Sequence, residues 1–178
     1  MTNQEVIPVV VITGPIGVGK TTVTQHLGYL LSAHEVPHTV IDMDWLRDTW
    51  PQPADDRFNS RLGHRNLADV ARNSIEVGSE RFVIADVVES RQHRENYREA
   101  IPGADVRIVR LSVDMEVNRE RISRRANGDE DPWEAARAGE LVDIMEANNV
   151  ADVVIDTTGR RPKDIAREIA DWLGWLPA

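Results

Sequence analysis

The 178 residues contain no cysteine. Disulfides, thiolate metal sites and a cysteine nucleophile are thereby excluded, and the chain suits a reducing compartment, with the cytoplasm as the expectation. Long apolar runs are missing as well. None approaches the roughly 18 residues of a membrane span, and the opening MTNQEVIP lacks a basic stretch followed by an apolar one, so neither membrane nor export is expected. Basic charge is also short: 21 Lys and Arg stand against 30 Asp and Glu, a net charge of −9. Long-range attraction to nucleic acid is therefore not expected. His26, His34, His38, His64 and His93 show no metal-ligand spacing, which argues against a zinc site.

What is present is an alternation of short β-branched runs with longer amphipathic segments, the pattern of βα units around a parallel sheet. Strands are expected at Val6 to Thr13, His38 to Asp42, Arg81 to Asp86, Asp105 to Val113 and Ala151 to Asp156. Pro8 must lie near the start of the first, where a missing N–H is tolerable. Helices are expected at Lys20 to Ala33, Asn59 to Glu80, Met115 to Ala126 and Trp133 to Asn148, the last two flanking an acidic loop, NGDEDP. A final helix opens at Pro162 and closes at Gly174. No repeat or linker divides the chain, so 1–178 reads as one domain.

The stretch GPIGVGKTT, Gly14 to Thr22, matches G-x-x-x-x-G-K-[ST], with an apolar strand before it and a helix pattern after it. Glycines let successive N–H groups turn inward, and the helix N-terminus adds positive potential. Lys20 can reach the β/γ-phosphates and the Thr21 hydroxyl can ligate Mg²⁺. Gly14, Pro15, Ile16, Gly17, Val18, Gly19, Lys20, Thr21 and Thr22 are thus expected to cradle a nucleoside triphosphate.

After the second expected strand comes IDMDWLR. Asp42 and Asp44 project from the sheet edge that carries the glycine loop, and either could take the proton of an acceptor hydroxyl, a role worth about 10²–10⁴ in rate. One of them could instead cap a short helix. Arg47 could pair with an anionic acceptor or with the transferring phosphoryl group. FVIAD ends in Asp86 as a metal-holding strand does; VVID ends likewise in Asp156, and position favours Asp86 for Mg²⁺. In NRERISRR, Arg121 and Arg125 share a helix face. They read either as a solvated basic face or as a lid, about 115–148, closing over phosphates and excluding water. Arg61, Arg65 and Arg72 lie on the helix after the second expected strand, and the first two are candidate acceptor ligands.

Taken together, GPIGVGKTT, DWLR, FVIAD, RISRR and DTTGRRP resemble the small-molecule kinase group of P-loop proteins, which includes adenylylsulfate, gluconate and shikimate kinases, chloramphenicol phosphotransferase and the polynucleotide-kinase branch. The resemblance implies an α/β P-loop NTPase fold, a three-layer sandwich whose five-stranded parallel sheet runs in the order 2-3-1-4-5, with helices on both faces and a helical lid. It implies Asp44 as general base, Arg47 on phosphate, Arg121 and Arg125 in the lid, Asp86 near the metal, and Thr158, Gly159 and Arg160 beside the nucleotide base. ATP and Mg²⁺ are the implied cofactors, and the partner is a small hydroxylated acceptor. Whether the protein is a monomer or a homodimer stays open. ADVVES stands where adenylylsulfate kinases carry Phe-Ile-Ser-Pro, and no N-K-x-D guanine signature occurs, which favours ATP over GTP. The alternative is a regulatory ATPase without an acceptor; no Gln is placed to orient water for it.

Overall fold

In the computed structural model, residues 6–56, 58–125 and 132–177 are described, the side chain of Arg125 excepted. Five strands form one sheet in the order β2-β3-β1-β4-β5, and every neighbouring pair is parallel. They are β1 (Ile7–Thr13), β2 (Thr39–Asp42), β3 (Phe82–Ala85), β4 (Ala104–Ser112) and β5 (Val153–Asp156). The helices are α1 (Lys20–Ala33), α2 (Met43–Arg47), α3 (Ser60–Glu76), α4 (His93–Ala100), α5 (Met115–Arg125), α6 (Pro132–Ala147) and α7 (Pro162–Leu173). The order expected from the resemblance is the order found.

Alternation along the strands explains the layers. In β1, Val9 and Val11 face one core with Leu67 of α3, Tyr97 of α4 and Met145 of α6. Val10 and Ile12 face the other, with Leu27 and Leu31 of α1 and Ile165 and Ile169 of α7. A strand buried on both sides reads as a continuous apolar run rather than an alternating one, which is why VVVI and FVIA were conspicuous. Pro8 is the second residue of β1, and pairing with β3 begins only at Val9, so the absent N–H spares that ladder.

Three expectations need adjustment. The helix expected to reach Glu80 stops at Glu76, because Gly78 adopts φ 98° and the Ser79 N–H turns back to the Ser74 carbonyl (3.0 Å). Val77, an apolar residue within that expected span, is 87% exposed. Helix α4 was not expected at all: HRENYREA buries only Tyr97 and Ala100, too few apolar positions to show a period. The residues of the acidic loop from Asn127 to Asp131 lie outside the described residues.

Candidate active site

In parallel sheets every strand delivers its following loop to the carboxyl edge, and ligands bind where the strand order reverses. That edge gathers the glycine loop after β1, Asp42 at the end of β2, Asp86 after β3 and Thr157 after β5. Gly14 and Gly17 hold φ of 145° and 83°. A Cβ on Gly14 would lie 2.6 Å from the Leu111 carbonyl oxygen, and one on Gly17 would lie 2.6 Å from Ile122 Cγ1. Only glycine fits either place. Gly19 caps α1 with no side-chain hydrogen bond, and the first turn carries no acid, so the N–H groups of that turn face a site suited to an anion. Pro15, Ile16 and Val18 shape the loop's wall, and Thr22 sits exposed in the first helical turn. Lys20 Nζ donates to the carbonyls of Gly14 (3.0 Å) and Pro15 (3.1 Å).

The D-x-x-R segment is brought against this loop. Thr21 Oγ1 donates to Asp42 Oδ2 across 2.6 Å, while Asp42 Oδ1 accepts the Asp44 N–H (3.0 Å) and so caps α2. The expected helix cap is thus found, and Asp42 is the residue that supplies it. Both oxygens of Asp42 are engaged. Asp44 is different: its side chain is 75% exposed, and among the described residues its ion-pair partner is Arg47, with Nε 3.5 Å away.

Arg47 is turned inward. Its Nε donates to the Met43 carbonyl (3.0 Å) and its Nη2 to Asp86 Oδ1, while Asp86 Oδ2 accepts the Tyr97 hydroxyl (2.6 Å) and Oδ1 also accepts the Val87 N–H (2.7 Å). Burial works against the Arg47 charge, but the Asp86 carboxylate outweighs it and leaves the guanidinium still harder to deprotonate. Burial, then the neighbouring Asp86 charge, pushes the Tyr97 phenol well above its ordinary value. Both carboxylates thus spend both oxygens on protein donors, but those of Asp86 are the Arg47 guanidinium, the Tyr97 hydroxyl and the Val87 N–H, whereas those of Asp42 are the Thr21 hydroxyl of the glycine loop and the Asp44 N–H. The pattern in the sequence could not separate these two carboxylates.

Helix α5 covers the loop from outside. Arg121 donates to the Val18 carbonyl (3.2 Å) and to Thr157 Oγ1 and its carbonyl (both 3.3 Å), so this lid candidate lies between the glycine loop and the loop after β5. Arg125 closes α5, and its side chain lies outside the described residues. Thr158 Oγ1 bonds Asp156 Oδ1 (2.8 Å) and accepts the Asp114 N–H (3.0 Å); the first of these bonds lowers the Asp156 pKa. Gly159 takes φ 66°, and Arg160 reaches back to the Asp156 carbonyl (3.0 Å) and pairs with Glu168. Arg61 and Arg65 are not brought into this cluster. Arg61 pairs with Asp55 at 2.6 Å, and the two arginines line a groove between α3 and α4 with His64 and Glu99.

The sequence reading missed Tyr97, Asn118 and Thr157. Tyr97 lies in the unexpected helix, and Asn118 and Thr157 have neighbours in sequence that drew attention for their charge. Being polar yet buried is their signal, and sequence alone does not report burial.

A model of the family described as AAA domain matches residues 10–143. Among curated proteins none matches the sequence significantly. Solved structures do match in fold. The tunicamycin resistance protein of Deinococcus radiodurans is 19% identical, with 97% of this chain and 99% of that one covered and a TM-score of 0.68. The APS kinase of Mycobacterium tuberculosis, solved with AMPPNP and APS, is 20% identical over 94% and 98%, TM-score 0.61. Shikimate kinase from Acinetobacter baumannii, solved with shikimate, is 20% identical over 95% and 94%, TM-score 0.58.

Proposed function

This chain belongs to the AAA-domain family, and from that premise we propose that it is an ATP-dependent phosphotransferase acting on a hydroxyl of a small molecule. The observation that carries the reading is the 2.6 Å bond between Thr21 of the glycine loop and Asp42 at the head of D-x-x-R. It supports placing the phosphate cradle and the carboxylates of α2 in one site, which a nucleotide-binding module without an acceptor does not require. The folds of the kinases above agree with it.

In this reading Asp44 is the general base. It is exposed and lacks the two donors that occupy Asp42, so a lone pair is available to the acceptor hydroxyl. As that oxygen bonds to the γ-phosphorus, the bond from phosphorus to the bridging oxygen of ADP breaks and the hydroxyl proton passes to Asp44. The loop amides and Lys20 hold the phosphates, and Arg121 approaches them from the lid. Arg47, held by Asp86, supports the acceptor side. Hydroxyl and carboxylate oxygens are hard donors suited to Mg²⁺; Asp42 already holds the Thr21 hydroxyl beside the glycine loop, whereas Asp86 is tied to the Arg47 guanidinium and the buried Tyr97 hydroxyl, so the Thr21–Asp42 pair fits the ion better. Bound there, Mg²⁺ would offset charge on the β- and γ-phosphates.

The test is incubation with ATP and a panel of hydroxylated metabolites, nucleosides and aminoglycosides, with products read by mass spectrometry. An acceptor gaining one phosphoryl group as ADP appears in equal amount supports the reading. Brisk hydrolysis that no acceptor stimulates, with no phosphorylated product, overturns it.

A further inference from the structure

Asn118 is fully buried in the first half of α5. Its Nδ2 donates to the carbonyl of Ile16 across 2.9 Å, between residues 102 positions apart in the chain, and its Oδ1 has no hydrogen-bond partner among the described residues. One turn further, Arg121 Nη1 donates to the carbonyl of Val18 (3.2 Å). Helix α5 therefore grips two alternate carbonyls of the glycine loop, and Ile122 closes over the Gly17 between them.

The consequence follows from peptide geometry. In a trans peptide unit the carbonyl of one residue and the N–H of the next point in opposite directions. Pinning the Ile16 carbonyl toward α5 turns the Gly17 N–H away from α5, and pinning the Val18 carbonyl does the same for the Gly19 N–H. Among the described residues neither amide has a backbone acceptor, whereas the Val18 N–H between them is used by the Pro15 carbonyl (3.3 Å). We infer that Asn118 is a positioning residue: through the Ile16 peptide plane, and alongside Arg121, it aims the loop's free amides at the phosphates. The unpartnered Oδ1 strengthens this. A buried amide oxygen without a donor is destabilising, so an apolar residue would serve packing better, and what Asn adds at this place is the bond to the loop.

The inference rests on the proposal that the loop binds ATP, and the experiment separates the two. Titration calorimetry compares ATP and AMP on wild type, Asn118→Leu and Asn118→Ala, with melting temperatures recorded alongside. The bond lost is worth about 1 kcal/mol, so ATP affinity is expected to fall about 10-fold in both variants, with AMP affinity unchanged. The melting temperature of the Leu variant should change little, because loss of the bond to Ile16 is offset by removal of the unpartnered Oδ1. A general loosening of the fold would lower both affinities together. In the wild-type protein, the Gly17 and Gly19 amide protons should move downfield in NMR spectra on adding ATP, whether or not the variants fold. If wild type binds ATP while the variants bind it equally well, or lose ATP and AMP in parallel, or if those two amides do not respond, the role of Asn118 is overturned. If wild type binds no ATP, the nucleotide reading falls first and this inference with it.

Discussion

Asp86 holds the guanidinium of Arg47 with one carboxylate oxygen and accepts the Tyr97 hydroxyl with the other. The pair joins α2 to β3 and α4, and its side chains are only 18% and 4% exposed. Removing one partner of such a pair strands a buried charge. Asp86→Ala should therefore cost about 3 kcal/mol, read as a lower urea midpoint, and it should also weaken turnover because Arg47 loses its anchor.

Tyr97→Phe isolates the second oxygen of Asp86. At neutral pH the variant should lose about 1 kcal/mol, the worth of one hydrogen bond. The alkaline limb is more telling. Tyr97 keeps its proton in the folded state beyond the ordinary 10.0, whereas the unfolded chain releases it near that value. The stability this contributes is present below pH 10 and declines as pH rises toward the folded pKa. Urea midpoints on either side of that pH should fall more steeply for wild type than for Tyr97→Phe.

Asp44→Asn keeps the size of the side chain and removes its basicity. Turnover should drop by about 10²–10⁴, with the KM for ATP nearly unchanged. Steady-state kinetics with the acceptor found in the panel assay decides it, and full activity would remove Asp44 from the mechanism.

Thr21→Val and Asp42→Asn bear on the same bond from its two ends. Each should raise the Mg²⁺ concentration needed for half-maximal rate by about 10-fold or more, an effect seen even for groups that touch a metal indirectly. Chelation with EDTA should stop turnover of the wild-type enzyme. Should Asp86→Asn alone shift the Mg²⁺ requirement, the two carboxylates would have to exchange roles.

Gly14→Ala tests the loop's shape. The new Cβ would meet a backbone carbonyl of β4 at 2.6 Å, on a residue with φ 145°, and strain of this kind costs about 1–3 kcal/mol. A fall in melting temperature, together with loss of ATP binding, is the expected result.

Much of this protein could be read before it was folded. GPIGVGKTT between a β-branched run and a helix pattern was enough to place the glycine loop between β1 and α1, because backbone conformation there depends on glycines at fixed places. The doubly buried strands announced themselves for a similar local reason. Helix α4 did not, since it shows the core only Tyr97 and Ala100.

The choice between chemically equivalent side chains was decided only in three dimensions. Asp42, Asp44 and Asp86 are identical groups at similar places after apolar runs. What separates them is which donors arrive: Thr21 from 21 residues away, Arg47 from 39. The grip of Asn118 on Ile16 spans 102 residues and leaves no periodic trace. Local sequence determined the strands and the loop because their causes are local, steric and repeating. Tertiary structure alone gave the carboxylates their different partners, because hydrogen bonds between distant residues exist only once the helices have packed over the sheet's edge.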